Sequence, residues 1–423
     1  MVATTAAAVA KARRRLIPFL FVLYVVSYLD RINVGFAALQ MNAALGFSNV
    51  TYSLGAGIFF LSYTLLEIPS NVILARVGAR RWIARIMITW GLVSAGMMFV
   101  RSATAFYVLR FLLGAAEAGF FPGIIYCLTR WFPTRDRARA IASFMTAVVI
   151  AGIIGGPLSG ALLSLDGFGG LAGWQWLFVV EGLPAVVLGF VVLRMLPEEP
   201  SQARWLTPQE QFALTTQLAE EASLGTSVHS IHGALTSGRM WLLAAVYFTI
   251  PVELYAMSFW LPQIVKAASG AGDFYVGVLS AIPYAAAAVG MIVIGRHSDA
   301  TGERRWHIAL SAAVGGVSLA LAGFAHNVVA ALVLLSLAML GLASMLGPFW
   351  AFATSFLGGI GAAAGIALVN SVGNIGGFVG PNIVGYVREA TRGFAAGLVI
   401  VGAMLVAGGA LVLTVNPSKK PFV

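Results

Sequence analysis

Residues 16–40 read LIPFLFVLYVVSYLDRINVGFAALQ. As a helix this stretch is long enough to cross a ~30 Å hydrocarbon core. Within it only Asp30 and Arg31 carry charge. A charge at mid-bilayer costs at least ~2.5–3.5 kcal/mol on insertion scales. Asp30 lies about 21 Å along the helix from Leu16 at about 1.5 Å per residue, too deep for easy snorkelling. Adjacent helical residues point about 100° apart, so Asp30 and Arg31 face different neighbours. If Arg31 faces an internal cavity, Ser27 and Tyr28 share its face at i−4 and i−3, and Asp30 turns toward another helix. Intramembrane charges mark functional sites by default; the blander reading is an ion pair that joins two helices.

The remainder of the chain repeats the apolar pattern. Of 423 residues, 59% are hydrophobic and 10% charged, against about 25% charged in a soluble domain. Twelve spans are expected, at roughly 16–40, 51–75, 82–101, 104–130, 138–164, 174–196, 239–265, 274–295, 306–325, 328–355, 360–387 and 393–415. The fold class is therefore an all-α polytopic membrane protein. The net charge of +10 does not point to nucleic acid, because the basic residues fall in loops between spans. One side collects 20 Lys and Arg, from Lys11 through Lys420; the other takes Arg101, Lys266, Arg388 and Arg392. By the positive-inside rule both termini are cytoplasmic, and a bacterial inner membrane is the expected location. MVATTAAAVAKARRR at the start reads as an uncleaved cytoplasmic tail rather than a signal peptide. The single cysteine, Cys127, excludes an intrachain disulfide and reads as a packing residue.

The domain organisation follows from a repeat. GARRW (78–82) recurs as GERRW (302–306), and GIIGGP (152–157) recurs as GGFVGP (376–381), both at an offset of 224. Two unrelated matches at one offset imply a parallel six-plus-six arrangement, with substrate bound near the midplane between the halves. The expected units are an N-terminal six-helix bundle over 1–196, a cytoplasmic linker over 197–237 and a C-terminal six-helix bundle over 238–423. In the linker, TPQE (207–210) reads as a capping box that starts a short surface helix, followed by a flexible link through LGTSVHS.

The sequence resembles the anion:cation symporter branch of the major facilitator superfamily over essentially its whole length. The markers are YLDRINVGFA (28–37), EIPSNVILARVGARRWIARIMITWG (67–91), RFLLGAAEAGFFPG (110–123), SFWLPQIVK (258–266) and NSVGNIGGFVGP (370–381). The loop GRHSDATGERR (295–305) is close to the superfamily's cytoplasmic loop motif; the first-half copy has Ala75 where an acidic residue is usual. The resemblance implies a twelve-helix major facilitator fold in two pseudo-symmetric six-helix bundles. It also implies import of a small organic carboxylate with a proton. By motif match, Arg31 holds the substrate carboxylate, and Asp30 and Glu117 carry protons. Tyr28, Arg110, Trp350 and Asn370 stand at positions that line the site in sugar-acid symporters. The run TAVVIAG (146–152) stands where a galactonate-type relative carries a glutamine, which speaks against galactonate.

Read from the residues themselves, Arg110, Gly114 and Glu117 are spaced i, i+4, i+7 and share one helix face. Gly114 leaves room there for a substrate or another helix. Two arginines in the first half, with planar two-bond forks, suit an anion. Protonation of Glu117 removes a negative charge that competes with that anion, so proton and anion each favour the other by linkage. The alternative is that Glu117 permanently neutralises Arg110. At the 224 offset Asp30, Arg31, Arg110 and Glu117 correspond to Leu254, Tyr255, Leu334 and Gly341, so charge sits in one half. Tyr255, Trp260, Gln263, Tyr284, Trp350, Asn370 and Asn374 are the second half's aromatic and neutral polar candidates. The glycine motifs read as close helix contacts. Glu181 and Glu253, also inside spans, are expected to pair across helices. The five histidines are scattered; no spacing resembles a metal site or a nucleophile–base pair, so neither a metal, a cofactor beyond the coupling proton, nor an enzyme activity is expected. The expected partners are the organic anion and the lipid bilayer, with a monomer as the working unit. The competing function is a proton-coupled antiporter that exports organic compounds, because GIIGGP partly resembles a fifth-helix signature of drug antiporters.

Overall fold

A computed structural model describes residues 2–224, 236–355 and 359–415. Most of the LGTSVHS link, His229, His232, Lys419 and Lys420 lie outside the described residues. Among the described residues every regular element is helical. The N-terminal half comprises α1 (Val2–Leu45), α2 (Asn49–Val77), α3 (Ala79–Gly96), α4 (Ala103–Glu117), α5 (Phe120–Thr129), α6 (Thr134–Met145), α7 (Ala147–Leu163) and α8 (Gly173–Met195). The linker helix is α9 (Pro208–Leu224). The C-terminal half comprises α10 (Gly238–Ser269), α11 (Asp273–Thr301), α12 (Arg305–Ala322), α13 (Val328–Thr354), α14 (Gly359–Thr391) and α15 (Ala395–Val412).

With α4–α5 and α6–α7 each taken as one span, eleven helices are long and apolar enough to cross a membrane. The twelfth long helix is α14, whose apolar pattern is interrupted by Asn370, Asn374 and Asn382. Leu65, Ile68, Val187, Phe190, Val289 and Val329 are exposed on outer faces, as lipid-facing side chains should be.

Three local features depart from, or refine, the sequence reading. First, α1 is not a 16–40 span behind a tail. It is one helix of 44 residues, about 66 Å long at about 1.5 Å per residue. Its first turns bury Ala8, Val9 and Ala12, and Lys11 Nζ meets Glu210 of α9 at 2.8 Å. Arg13 pairs with Asp136 of α6 at 2.8 Å. Second, the expected continuous span 104–130 is broken directly after Glu117. Gly119 takes φ 87°, a left-handed backbone that glycine adopts without a Cβ penalty. The Ala118 carbonyl at the break accepts the Ser70 hydroxyl at 2.6 Å. Third, the capping box is present: Thr207 N–H donates to Glu210 at 2.9 Å and Glu210 N–H donates to Thr207 Oγ1 at 3.3 Å.

The two halves meet along α2–α14, α7–α11 and α1–α10. These pairings are what the 224 offset requires, since it relates α2 to α11 and α7 to α14. Gly156 of α7 and Gly277 of α11 face each other, and a Cβ on either would run into the other's carbonyl. The close contacts favour one membrane face, the one bearing the α1–α2 and α10–α11 loops. There Asn49 Nδ2 donates to Glu389 at 2.8 Å, and Gln40 Nε2 donates to Asp273 at 2.8 Å.

Candidate functional site

At the centre, Arg31 Nη2 forms an ion pair with Glu117 Oε1, and the Ser27 hydroxyl donates to the same oxygen at 2.9 Å. Ser27 therefore shares the face of Arg31, as the i−4 spacing predicts. Arg31 Nη1 donates to the Tyr255 hydroxyl at 3.1 Å. Residues 31 and 255 are separated by 224, the repeat offset. Equivalent positions of α1 and α10 thus meet across the pseudo-twofold axis, one presenting a cation and the other a phenol. The guanidinium also lies 5.4 Å from the ring centres of both Phe59 and Tyr63 on α2. Aromatic faces carry negative quadrupole density and favour such a cation. Arg31 is 8% exposed and Glu117 1%, so in this conformation the pair is closed in by side chains.

Asp30 faces the other way, as the 100° step requires. Its carboxylate accepts Trp90 Nε1 at 2.7 Å and the Ser94 hydroxyl at 2.6 Å from α3, and Asn33 Nδ2 at 3.2 Å. Among the described residues three donors and no ion-pair partner surround it. This acid is held inside the N-terminal bundle, one helix face away from Arg31.

Arg110 sits differently from the expectation. It is fully buried, and its Nε and Nη2 donate to the Gly55 and Ala56 carbonyls of α2 at 3.2 and 3.0 Å. The Phe59 ring lies 5.0 Å from it. Gly114 rests against the Phe59 carbonyl and Ser62 hydroxyl. The face shared by Arg110, Gly114 and Glu117 is therefore packed on α2, and the room at Gly114 is taken by a helix. Glu117 pairs with Arg31, not Arg110. Here Arg110 ties two helices together.

Tyr28 is buried in a small cluster with Leu29, Ile32 and Ala151. Its hydroxyl lies near Ser258 but has no hydrogen-bond partner of good geometry among the described residues. Trp350, half-buried on α13, packs edge-on against Tyr247 with ring centres 4.9 Å apart. Asn370 of α14 donates to Glu67 Oε1 at 3.1 Å. Asn374 donates to Glu67 Oε2 at 3.0 Å. Glu67 and Tyr63 are the site residues that sequence reasoning missed. The signal for Glu67 was present, a lone carboxylate in the apolar run YTLLEIP (63–69). Glu181 pairs as expected through one oxygen, which accepts the Ser159 hydroxyl at 2.8 Å. Glu253 does not: it is fully buried and neither oxygen has a hydrogen-bond partner among the described residues.

A model of the Major Facilitator Superfamily matches residues 20–381. A protein of Agrobacterium vitis named "Putative tartrate transporter" is 48% identical over 407 residues, spanning 96% of this chain and 94% of that protein. A "Quinolone resistance transporter" of Acinetobacter baumannii is 42% identical over 403 residues, spanning 95% and 92%. Among solved structures, a bacterial homologue of the human lysosomal transporter Spinster, in an inward-facing and occupied conformation, superposes with a TM-score of 0.78. It is 17% identical, covering 95% of this chain and 96% of that one. The repeat-related seams, the buried charge pair on the pseudo-axis and these matches agree: the chain belongs to the major facilitator superfamily of membrane transporters.

Proposed function

We propose that this transporter imports a small organic carboxylate, such as a hydroxy acid, sugar acid or aromatic acid, together with a proton. The observation that carries this reading is the Arg31–Glu117 pair opposite Tyr255 on the pseudo-axis. A guanidinium can hold a substrate carboxylate in a bidentate fork. Glu117 holds one arm of that fork, Nη2, and the Tyr255 hydroxyl the other. Proton uptake by Glu117 neutralises the internal competitor, so Arg31 exchanges Glu117 for the substrate. Asp30 is a second acid for the proton, held by Trp90, Ser94 and Asn33 next to the residue that binds the anion. Linkage then makes proton and anion bind cooperatively. The name of the Agrobacterium vitis relative supports an organic acid as cargo.

The Lys and Arg asymmetry supports cytoplasmic termini in a bacterial inner membrane. With that orientation the joined ends of the halves are periplasmic. We also propose a monomer as the working unit, its two halves joined along three seams of one chain. A second reading, export by proton antiport, is favoured by the relative named for quinolone resistance. Symport and antiport differ in sign: a symporter's proton and substrate help each other bind, an antiporter's compete. The deciding experiment is uptake of an organic-acid panel into proteoliposomes acidified outside. Accumulation of one carboxylate that a proton ionophore abolishes supports symport. No accumulation, with proton-driven efflux of a quinolone, supports the second reading.

A further inference from the structure

Glu67 is a membrane-embedded carboxylate, 5% exposed, that belongs to no arginine or lysine ion pair among the described residues. It lies on α2 of the N-terminal half, yet both oxygens are held by the C-terminal half, by Asn370 and Asn374. These two asparagines are one turn apart on α14, so their amides project to the same side. The contact continues the α2–α14 seam. Along that seam Asn49 meets Glu389, a Cβ on Gly385 would meet Ser53, and Gly377 packs on Phe60. Glu67 is thus part of the described contact between the two halves. The charged and titratable groups that face it are Arg31 from α1, Tyr63 from α2 and Tyr247 from α10. Tyr63 carries the cation of Arg31 on its ring, so Glu67 and the central pair share one environment.

The two halves thus offer donors to the same chemistry. In the N-terminal half, Arg31 is occupied by Glu117; in the C-terminal half, Asn370 and Asn374 are occupied by Glu67. We propose that Glu67 is a second internal competitor for the substrate: its carboxylate occupies the amide donors of Asn370 and Asn374, releases them when it takes up a proton, and leaves them to the carboxylate or hydroxyl groups of the bound acid. An ionised carboxylate accepts from both amides; the acid form brings a donor of its own and gives up part of that pairing. Release also loosens a contact between the halves. Loading of the far end of the substrate and movement of the seam are then coupled to one proton, in addition to the proton on Glu117.

This inference rests on the organic-acid reading, and one experiment separates the two. Full-length protein in liposomes is titrated with L-tartrate, D-glycerate, galactarate and phthalate, and the apparent Kd of whichever binds is followed from pH 6 to 8. In wild type the Kd rises with pH, by up to about tenfold per pH unit for each coupled proton. Glu67→Gln keeps an amide-sized group but cannot titrate. It binds the acid about 5- to 150-fold more tightly at pH 8, and its pH slope is shallower than wild type. Asn374→Ser removes one donor from the opposite half and should flatten the slope as well; it serves where Glu67→Gln does not fold. A purely structural role for Glu67 would change stability and leave the slope intact. A wild-type slope and Kd in the Glu67 variant, with Arg31→Ala still abolishing binding, overturns the Glu67 proposal alone. Failure of wild type to bind any of the four acids overturns both.

Discussion

Replacing Glu117 by glutamine separates charge from shape at the centre of the molecule. The Oε1 of Glu117 accepts both Arg31 Nη2 and the Ser27 hydroxyl. Glutamine still offers one carbonyl oxygen at that place, so packing and hydrogen bonding survive while the charge does not. Arg31 is 8% exposed and cannot exchange its partner for bulk water. Removing one charge from a buried pair costs about 3–5 kcal/mol, most of it from the charge left behind. The Phe59 and Tyr63 rings, each 5.4 Å from the guanidinium, hold the loss toward the lower end. The empty variant should therefore melt well below wild type in detergent. A bound carboxylate restores the missing charge, so it should stabilise Glu117→Gln more than wild type. In transport, the variant no longer has the proton-dependent competitor. Counterflow exchange of substrate persists, while accumulation driven by an imposed proton gradient falls to what the remaining acids, Asp30 and Glu67, support. A double-mutant cycle with Arg31→Ala measures the pair directly: the second substitution should cost much less once the first is made. Ionophore-sensitive accumulation by Glu117→Gln at the wild-type level would refute the assignment of Glu117 as a proton carrier. Additive stability losses in the cycle would refute the pairing itself.

The α7–α11 seam yields a conformational prediction. Gly156→Val places a side chain into Gly277, an overpacking of about 1–3 kcal/mol felt only while these helix ends are joined. Spin labels on the two ends should report a shift of about 5- to 150-fold toward the separated state; an unchanged distance distribution would count against a rigid seam. Trp90→Phe removes the 2.7 Å indole donor from the buried Asp30 carboxylate and should cost about 1.5–3 kcal/mol, visible as a lower melting temperature. Thr207→Ala removes the cap of α9 and should cost that helix about 0.5–2 kcal/mol, read as faster amide exchange over 208–224. The Lys11 ammonium and the Thr207 backbone N–H hold the Glu210 carboxyl below the ordinary glutamate range. A carboxyl depressed by folding contributes stability above its unfolded pKa and loses it as pH falls through the folded value. The docking of α9 on α1 should therefore be intact at neutral pH and weaken only in acid, which amide exchange at decreasing pH would detect.

Much of the site was legible for a simple reason: in a membrane helix a charge has to be accounted for. Asp30, Arg31 and Glu117 stand out in apolar runs, and the helical step alone sends Asp30 and Arg31 to different neighbours. Glu67 stands out by the same rule, and its neighbours in the run, not any lack of signal, concealed it. Arg110 shows the limit of spacing arguments. The i, i+4, i+7 pattern correctly put three residues on one face, but a face says nothing about what covers it.

The approximate spans, the twofold organisation and the depth of the charged residues follow from hydropathy, repeat offset and rise per residue, which are properties of the chain alone. The offset of 224 makes Tyr255 the counterpart of Arg31, and the structure brings the two into contact. Which partners those charges have depends on how whole helices pack. Glu117 turns to Arg31, while Arg110 on the same helix face is taken up by the Gly55 and Ala56 carbonyls of α2. The bond from Glu67 to Asn370 and Asn374 joins residues about three hundred positions apart, on helices from opposite halves. Contacts of that kind arise from the packing of whole helices, and no local pattern of residues specifies them.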